Sequence, residues 1–305
     1  LEEQKEVFEI RKAGLNILMS MKGDKKPVAF IEDCAVSLDH LADYTAQLKE
    51  IFKKYNTSGM FYAHASVGTL HIRPVLNMKS DEDIKNMRSI SEESFEIVKN
   101  YKGSHSGEHG DGIVRSEFHE MMFGKKIVNA FEEIKDTFDS KNLLNPGKIV
   151  RPFKSNDRSL MRYKSGYQAQ NISTHYDWSN WGQFTDAVEM CNNNGACRKL
   201  DSGVMCPSYR VTKEEKDLVR GRANTLRLAL SNQLPEGSFA SKEMYETMEL
   251  CVSCKACQRE CPMSVDMAKM KSEFLSHYYK KFNMRIKDRI TSDMPKLIWL
   301  LKIIA

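Results

Sequence analysis

Cys251-Val252-Ser253-Cys254-Lys255-Ala256-Cys257-Gln258-Arg259-Glu260-Cys261-Pro262 reads C-x2-C-x2-C-x3-C-P. That spacing wraps three thiolates around one corner of an iron–sulphur cubane, and in two-cluster ferredoxins it directs the fourth cysteine to the other cluster. Zinc also takes four thiolates, but its ribbons use two separated C-x2-C knuckles rather than a run of three closed by Cys-Pro. Upstream, Cys191 and Cys197 with Cys206-Pro207 look like the partner motif, with Asn194 in the middle cysteine position. By the crossover rule Cys206, Cys251, Cys254 and Cys257 hold one [4Fe–4S] cluster, while Cys191, Cys197 and Cys261 form a second group of only three thiolates. That group leaves open a [3Fe–4S] cluster, a [4Fe–4S] cluster with a non-cysteine fourth ligand, or no cluster. The motifs interrupt a helical pattern running from Ala187 to Lys287, so 186–270 is expected to be an all-α, ferredoxin-like domain.

Seven of the eight cysteines fall between Cys191 and Cys261, and such clustering means metal ligation in a reducing cytoplasm rather than a disulphide framework. Cys34 stands apart and reads as a small buried hydrophobe. With 305 residues the chain can hold two domains, and 41% hydrophobic with 29% charged residues is an ordinary globular composition. A net charge of +5, dispersed along the chain, argues against nucleic acid as a partner. No run approaches the roughly 20 apolar residues that span a bilayer. The chain begins without Met, as though cut from a longer polypeptide.

The first half reads as α+β, an antiparallel sheet with helices, over 1–152. Pro27 to Ile31 looks like a strand, and Ser37 is placed to cap a helix carrying Leu41, Leu48, Ile51, Phe52 and Tyr55. Met60 to His64 and Leu70 to Arg73 are two strands or one sharply bent strand, followed by helices over Asp81 to Tyr101 and Glu117 to Asp139. The polar, aperiodic stretch 153–185 reads as a linker.

His64 and His71 lie seven apart, which puts them on opposite faces of a continuous strand; only a bend at Val67-Gly68 brings them together. With Glu108 they make a two-histidine, one-carboxylate set for a divalent metal, and His109 stands beside it as a candidate base. The glycines of Ser106-Gly107-Glu108-His109-Gly110-Asp111-Gly112 suit a backbone that approaches a ligand closely. Taken singly, each histidine is more often a structural residue.

His64-x6-His71, Gly107-Glu108-His109-Gly110 and Leu144-Asn145-Pro146-Gly147-Lys148 resemble the carboxyl-terminal domain of FAD-linked oxidases of the D-lactate dehydrogenase, glycolate oxidase and D-2-hydroxyglutarate dehydrogenase group. The cysteine block fits the variety with a fused ferredoxin domain. The resemblance implies that His64, His71 and Glu108 hold a Zn²⁺ or similar ion, that His109 is the base, that Asn145 approaches FAD, and that Arg11 receives a substrate carboxylate. Arg73 or Arg115 would assist by bidentate pairing. It further implies that the main FAD-binding domain precedes residue 1, so that this chain alone binds FAD poorly or not at all. Between the histidines the usual Gly-Asp-Gly-Asn reads Ser66-Val67-Gly68-Thr69, a departure that leaves the metal's identity open.

The expected activity is oxidation of a small 2-hydroxy acid, with electrons passing from FAD through the clusters to a quinone or redox protein. The rival is a non-catalytic electron-transfer or interaction subunit whose histidines bind no metal. The tail, 271–305, is basic and then apolar, with Leu297-Ile298-Trp299-Leu300-Leu301 near its end. It suits an amphipathic helix that packs on a further domain of the longer polypeptide, or else lies peripherally on the inner face of an anionic membrane.

Overall fold

Thr-Leu-His-Ile-Arg, residues 69–73, alternates polar and apolar side chains, and this alternation organises the amino-terminal half. The computed structural model describes the backbone of residues 2–201 and 203–304, in two compact units, 1–167 and 168–305. The first unit opens with helix α1 (Glu2–Met19), then strands β1 (Lys25–Pro27) and β2 (Cys34–Ala35), helix α2 (Leu41–Lys54), strands β3 (Gly59–His64) and β4 (Thr69–Asn77), and helix α3 (Asp81–Asn100). β4 is the centre of an antiparallel sheet: β3 pairs with it from Gly59↔Pro74 to His64↔Thr69, β2 meets Thr69 and Leu70, and β1 meets residues 75–77. Leu70, Ile72 and Leu76 enter a core with Phe30, Tyr44 and Phe95, leaving Thr69, His71 and Arg73 on the other face.

α2 buries Tyr44, Leu48, Ile51 and Phe52, and α3 buries Ile84, Met87, Ile90, Phe95 and Val98, the spacings of a helix with one apolar face. Ser80 caps α3 by accepting from the Asp83 amide. Ser37 makes no side-chain cap; a 3-10 turn at Leu38–His40 starts that helix instead. The predicted strand at Pro27–Ile31 begins earlier and ends at Pro27. Phe30 and Ile31 still fill the core, but the chain turns there and delivers Glu32 and Asp33 to the polar side. After α4 (Gly112–Arg115), which precedes it, the helix predicted over 117–139 is divided into α5 (His119–Phe123) and α6 (Lys125–Phe138), because Gly124 at φ 78° interrupts it.

The second unit is helical: α7 (Phe184–Glu189), α8 (Pro207–Thr212), α9 (Val219–Leu230), α10 (Lys242–Glu249), α11 (Ala256–Glu260), α12 (Met267–Lys281) and α13 (Ile286–Ile304). Part of the predicted linker belongs to it. The buried Glu273 carboxylate on α12 accepts from the amides of His175 and Tyr176 and from the Trp178 indole, at 2.9, 3.1 and 3.0 Å, pinning that segment down. In the first unit Ser155 is held likewise, its amide donating to Glu117 at 2.6 Å. The predicted tail, 271–305, divides between the second part of α12, where Phe274 and Tyr278 are buried, and α13, with Pro295 inside it. The side chains of Leu297 and of residues 300–305, which carry much of the predicted apolar face, lie outside the described residues.

Candidate functional site

Gly68 reverses the chain between β3 and β4. Its φ is 72°, and a Cβ there would meet the Val36 carbonyl oxygen at 1.9 Å, so only glycine fits. Because the chain folds back, Tyr62 pairs with His71 and His64 with Thr69, and all four lie on the polar face. The odd spacing of seven thereby becomes a shared face.

Glu108 meets them from the 107–112 loop. Its Oε1 lies 3.2 Å from His64 Nε2, 3.2 Å from His71 Nε2 and 3.5 Å from His109 Nε2. The loop is aimed by Asp33, at φ 78° and fully buried, whose carboxylate accepts from the amides of Glu108 (2.9 Å) and His109 (2.8 Å) and from Arg115 Nη1 (3.2 Å). Burial alone would push the Asp33 carboxyl up, but the His109 and Glu108 amides, with the charges of His109 and Arg115, hold it below the usual range. Glu32, also buried, takes Arg73 Nε at 2.6 Å and the Tyr62 hydroxyl at 3.3 Å, and lies 3.7 Å from His71 Nδ1 and 3.6 Å from His109 Nδ1. Sequence reasoning singled out neither acid. The only signal was an acidic pair, Glu32-Asp33, directly after the apolar Val28-Ala29-Phe30-Ile31.

The rings of Tyr62, His71 and His109 stack at centroid distances of 4.7 and 4.9 Å. Burial depresses the His71 pKa, against the opposing pull of Glu32 and Glu108, and this favours the neutral ring that a metal needs. His64, His71 and Glu108 thus converge as two imidazole nitrogens and one carboxylate oxygen, with Glu108 and His109 exposed on the open side. Arg11, on α1, places Nη2 3.0 Å from His64 Nδ1. Arg73 and Arg115 direct their guanidinium groups at Glu32 and Asp33. Asn145, at φ 47°, and His109 line one cleft of about 630 Å³, with Asp111 and Lys148.

In the second unit Cys206, Cys251, Cys254 and Cys257 line one cavity. Cys206 Sγ accepts from the Val219 amide at 3.3 Å, at the start of α9, and Cys257 Sγ from the amides of Met267 and Ala268, at the start of α12. Burial pushes both thiols up, to about 12 for Cys206 and about 11 for Cys257. Cys197 is raised by burial and by its neighbours Cys191 and Cys261, while the Arg220 amide hydrogen-bonds to it. Asn194 turns inward on its own loop: its Oδ1 accepts from the Ala196 amide at 2.8 Å and its Nδ2 donates to Asn192 at 2.6 Å. Cys34 is fully buried, and burial pushes its thiol up to about 12.

Residues 1–149 match the model for FAD linked oxidases, C-terminal domain, and residues 187–265 that for the 4Fe-4S dicluster domain. The chain is thus similar to an FAD linked oxidase C-terminal domain followed by a 4Fe-4S dicluster domain. The FAD linked oxidase part contains the histidine site, and the dicluster part all seven clustered cysteines. A D-2-hydroxyglutarate dehydrogenase of Pantoea ananatis (strain AJ13355) is 30% identical over 328 residues, covering 94% of this chain and 31% of that protein. The Escherichia coli (strain K12) protein of that name is 29% identical over 323 residues, with the same shares. Glycolate oxidase subunit GlcD of Bacillus subtilis (strain 168) is 29% identical over 148 residues, 48% of this chain and 31% of that one. The chain therefore spans about a third of these relatives. No helix among the described residues is long and apolar enough to cross a membrane.

Proposed function

We propose that this chain is the substrate- and cluster-bearing part of a flavin-dependent 2-hydroxy-acid dehydrogenase, of the D-2-hydroxyglutarate, D-lactate or glycolate type. The observation that carries the reading is the convergence of three imidazole nitrogens on Glu108 Oε1, beside a cleft shared by His109 and Asn145. His64, His71 and Glu108 would hold a Zn²⁺ or similar ion, which would supply Lewis acidity toward the substrate hydroxyl. FAD, held largely by a preceding domain, supplies the two-electron acceptor, and the clusters supply one-electron carriers toward a quinone or redox protein.

His109 takes the hydroxyl proton on Nε2. Glu32, 3.6 Å from Nδ1, then offsets the imidazolium charge. The stack with His71 and Tyr62 fixes the plane of the ring as the proton moves. Arg11 receives a substrate carboxylate, whereas Arg73 and Arg115 act by positioning Glu32 and Asp33. Asn145, in the cleft with His109, would approach the flavin. Rapid mixing of the anaerobic full-length polypeptide with D-2-hydroxyglutarate, D-lactate and glycolate tests this. One of them is expected to bleach the flavin, with Glu108→Gln slowing that step; no bleaching by any of the three overturns the reading.

A further inference from the structure

Behind the loop that carries Glu108, a second group of potential ligands is assembled from three separate segments. His105 follows the bridge between Ala35 and Ser104, Asp111 precedes α4, and His119 is the first residue of α5. His105 is 0% and His119 2% exposed. His105 Nε2 lies 3.5 Å from Asp111 Oδ1, and His119 Nε2 lies 3.2 Å from Asp111 Oδ2. Among the described residues none of the four ring nitrogens has a well-aligned hydrogen-bond partner, nor has Asp111 Oδ1. An unsatisfied buried polar group is costly, so two buried imidazoles whose Nε2 atoms meet only Asp111, without good alignment, and whose Nδ1 atoms have no partner call for a further one.

We propose that His105, Asp111 and His119 bind a second divalent transition-metal ion, Zn²⁺, distinct from the one assigned to His64, His71 and Glu108. Two ligands about 2.0–2.1 Å from a tetrahedral zinc lie ~3.3 Å apart; the two histidine Nε2 atoms lie 3.5 and 3.2 Å from the two oxygens of Asp111, and one ligand atom from each residue lies within 4.8 Å of the others. Imidazole and carboxylate are ligands zinc accepts together, and water fills the remaining position. The rings of Phe95, Phe123 and Phe131 pack against the histidines and orient them. Arg115 bears on His105, but its guanidinium is paired with Asp33. The ion is structural: it ties the loop to α5 and fixes Asp111, two residues beyond His109.

The full-length holoprotein, crystallised with zinc, decides this by anomalous scattering on the two sides of the zinc edge. A peak bounded by His105, Asp111 and His119 is expected, and no peak there overturns the proposal. Zinc at this centre alone upholds the proposal and removes the metal from the proposed active site; zinc at His64, His71 and Glu108 alone does the reverse. In solution His119→Gln is expected to lose one equivalent of zinc per chain, while Glu108→Gln retains that equivalent. Should the His119 variant fail to fold, the wild-type anomalous map alone separates these outcomes.

Discussion

Around Glu108 Oε1 the converging groups come from positions 64, 71 and 109, brought together by a strand pairing, a glycine reversal and one buried aspartate. Three of the four cysteines lining the cavity in the second unit come from seven consecutive residues, 251–257, and only Cys206 is distant. The first arrangement is a product of tertiary structure, the second mostly of local spacing. A scaffold change is therefore expected to dismantle the histidine site and spare the cysteine site, whereas a ligand change in either leaves the other unit folded.

The largest effect tests that separation directly. His109→Asn is expected to slow flavin reduction about 10²–10⁴-fold, the usual worth of a general base, with iron and sulphide content unchanged. Cys257→Ser is expected to leave flavin reduction intact while removing one cluster's iron and blocking onward transfer. Stopped-flow traces with metal analysis check both; parallel losses of rate and iron would erase the contrast.

Asp33→Asn sharpens the claim that one carboxylate aims the loop of Glu108 and His109. Replacing a buried charge that accepts two amides and Arg115 is expected to cost about 3 kcal/mol in urea unfolding of the first unit. The sign with pH follows from the lowered Asp33 pKa. Its contribution is full above the ordinary carboxylate range, about pH 4, and drains as pH falls through the folded value, so wild type and variant converge in acid. Gly68→Ala is expected to cost at least about 1 kcal/mol for the left-handed conformation, before the clash with Val36. Hydrogen exchange in the second unit should remain unchanged.

The smallest effect concerns the unequal cysteine groups. Asn194→Cys gives up the cap on Ala196, about 1 kcal/mol, and offers the three-thiolate group a fourth sulphur. The electron paramagnetic resonance of that centre is expected to change and the other signal to persist; two signals already identical in the wild type would contradict the inequality.

Much of this was legible in the residues. The cysteine spacing, the bend at Gly68, the helical faces of α2 and α3 and the meeting of His64, His71 and Glu108 all follow from local pattern or from the resemblance of short motifs. Glu32 and Asp33 were not, because a buried acid shows no periodicity: its role is written in partners 41 to 82 residues away, in Arg73, His109 and Arg115. The docking of Trp178 on Glu273 was missed for the same reason, since a polar stretch looks like a linker until its amides find one carboxylate. The helix over residues 2–19 has a weak apolar stripe, and nothing in its pattern distinguished it from the polar chain start.

The helix starts at Val219 and Met267 have an electrical consequence. Their amides donate to Cys206 and Cys257 (three amides in all), whereas Cys197, in the other group, receives that of Arg220. Hydrogen bonds to sulphur stabilise the extra negative charge of a reduced cluster and so raise its midpoint potential. A cluster held by Cys206, Cys251, Cys254 and Cys257 would have its potential drawn upward by the amides at these two helix starts.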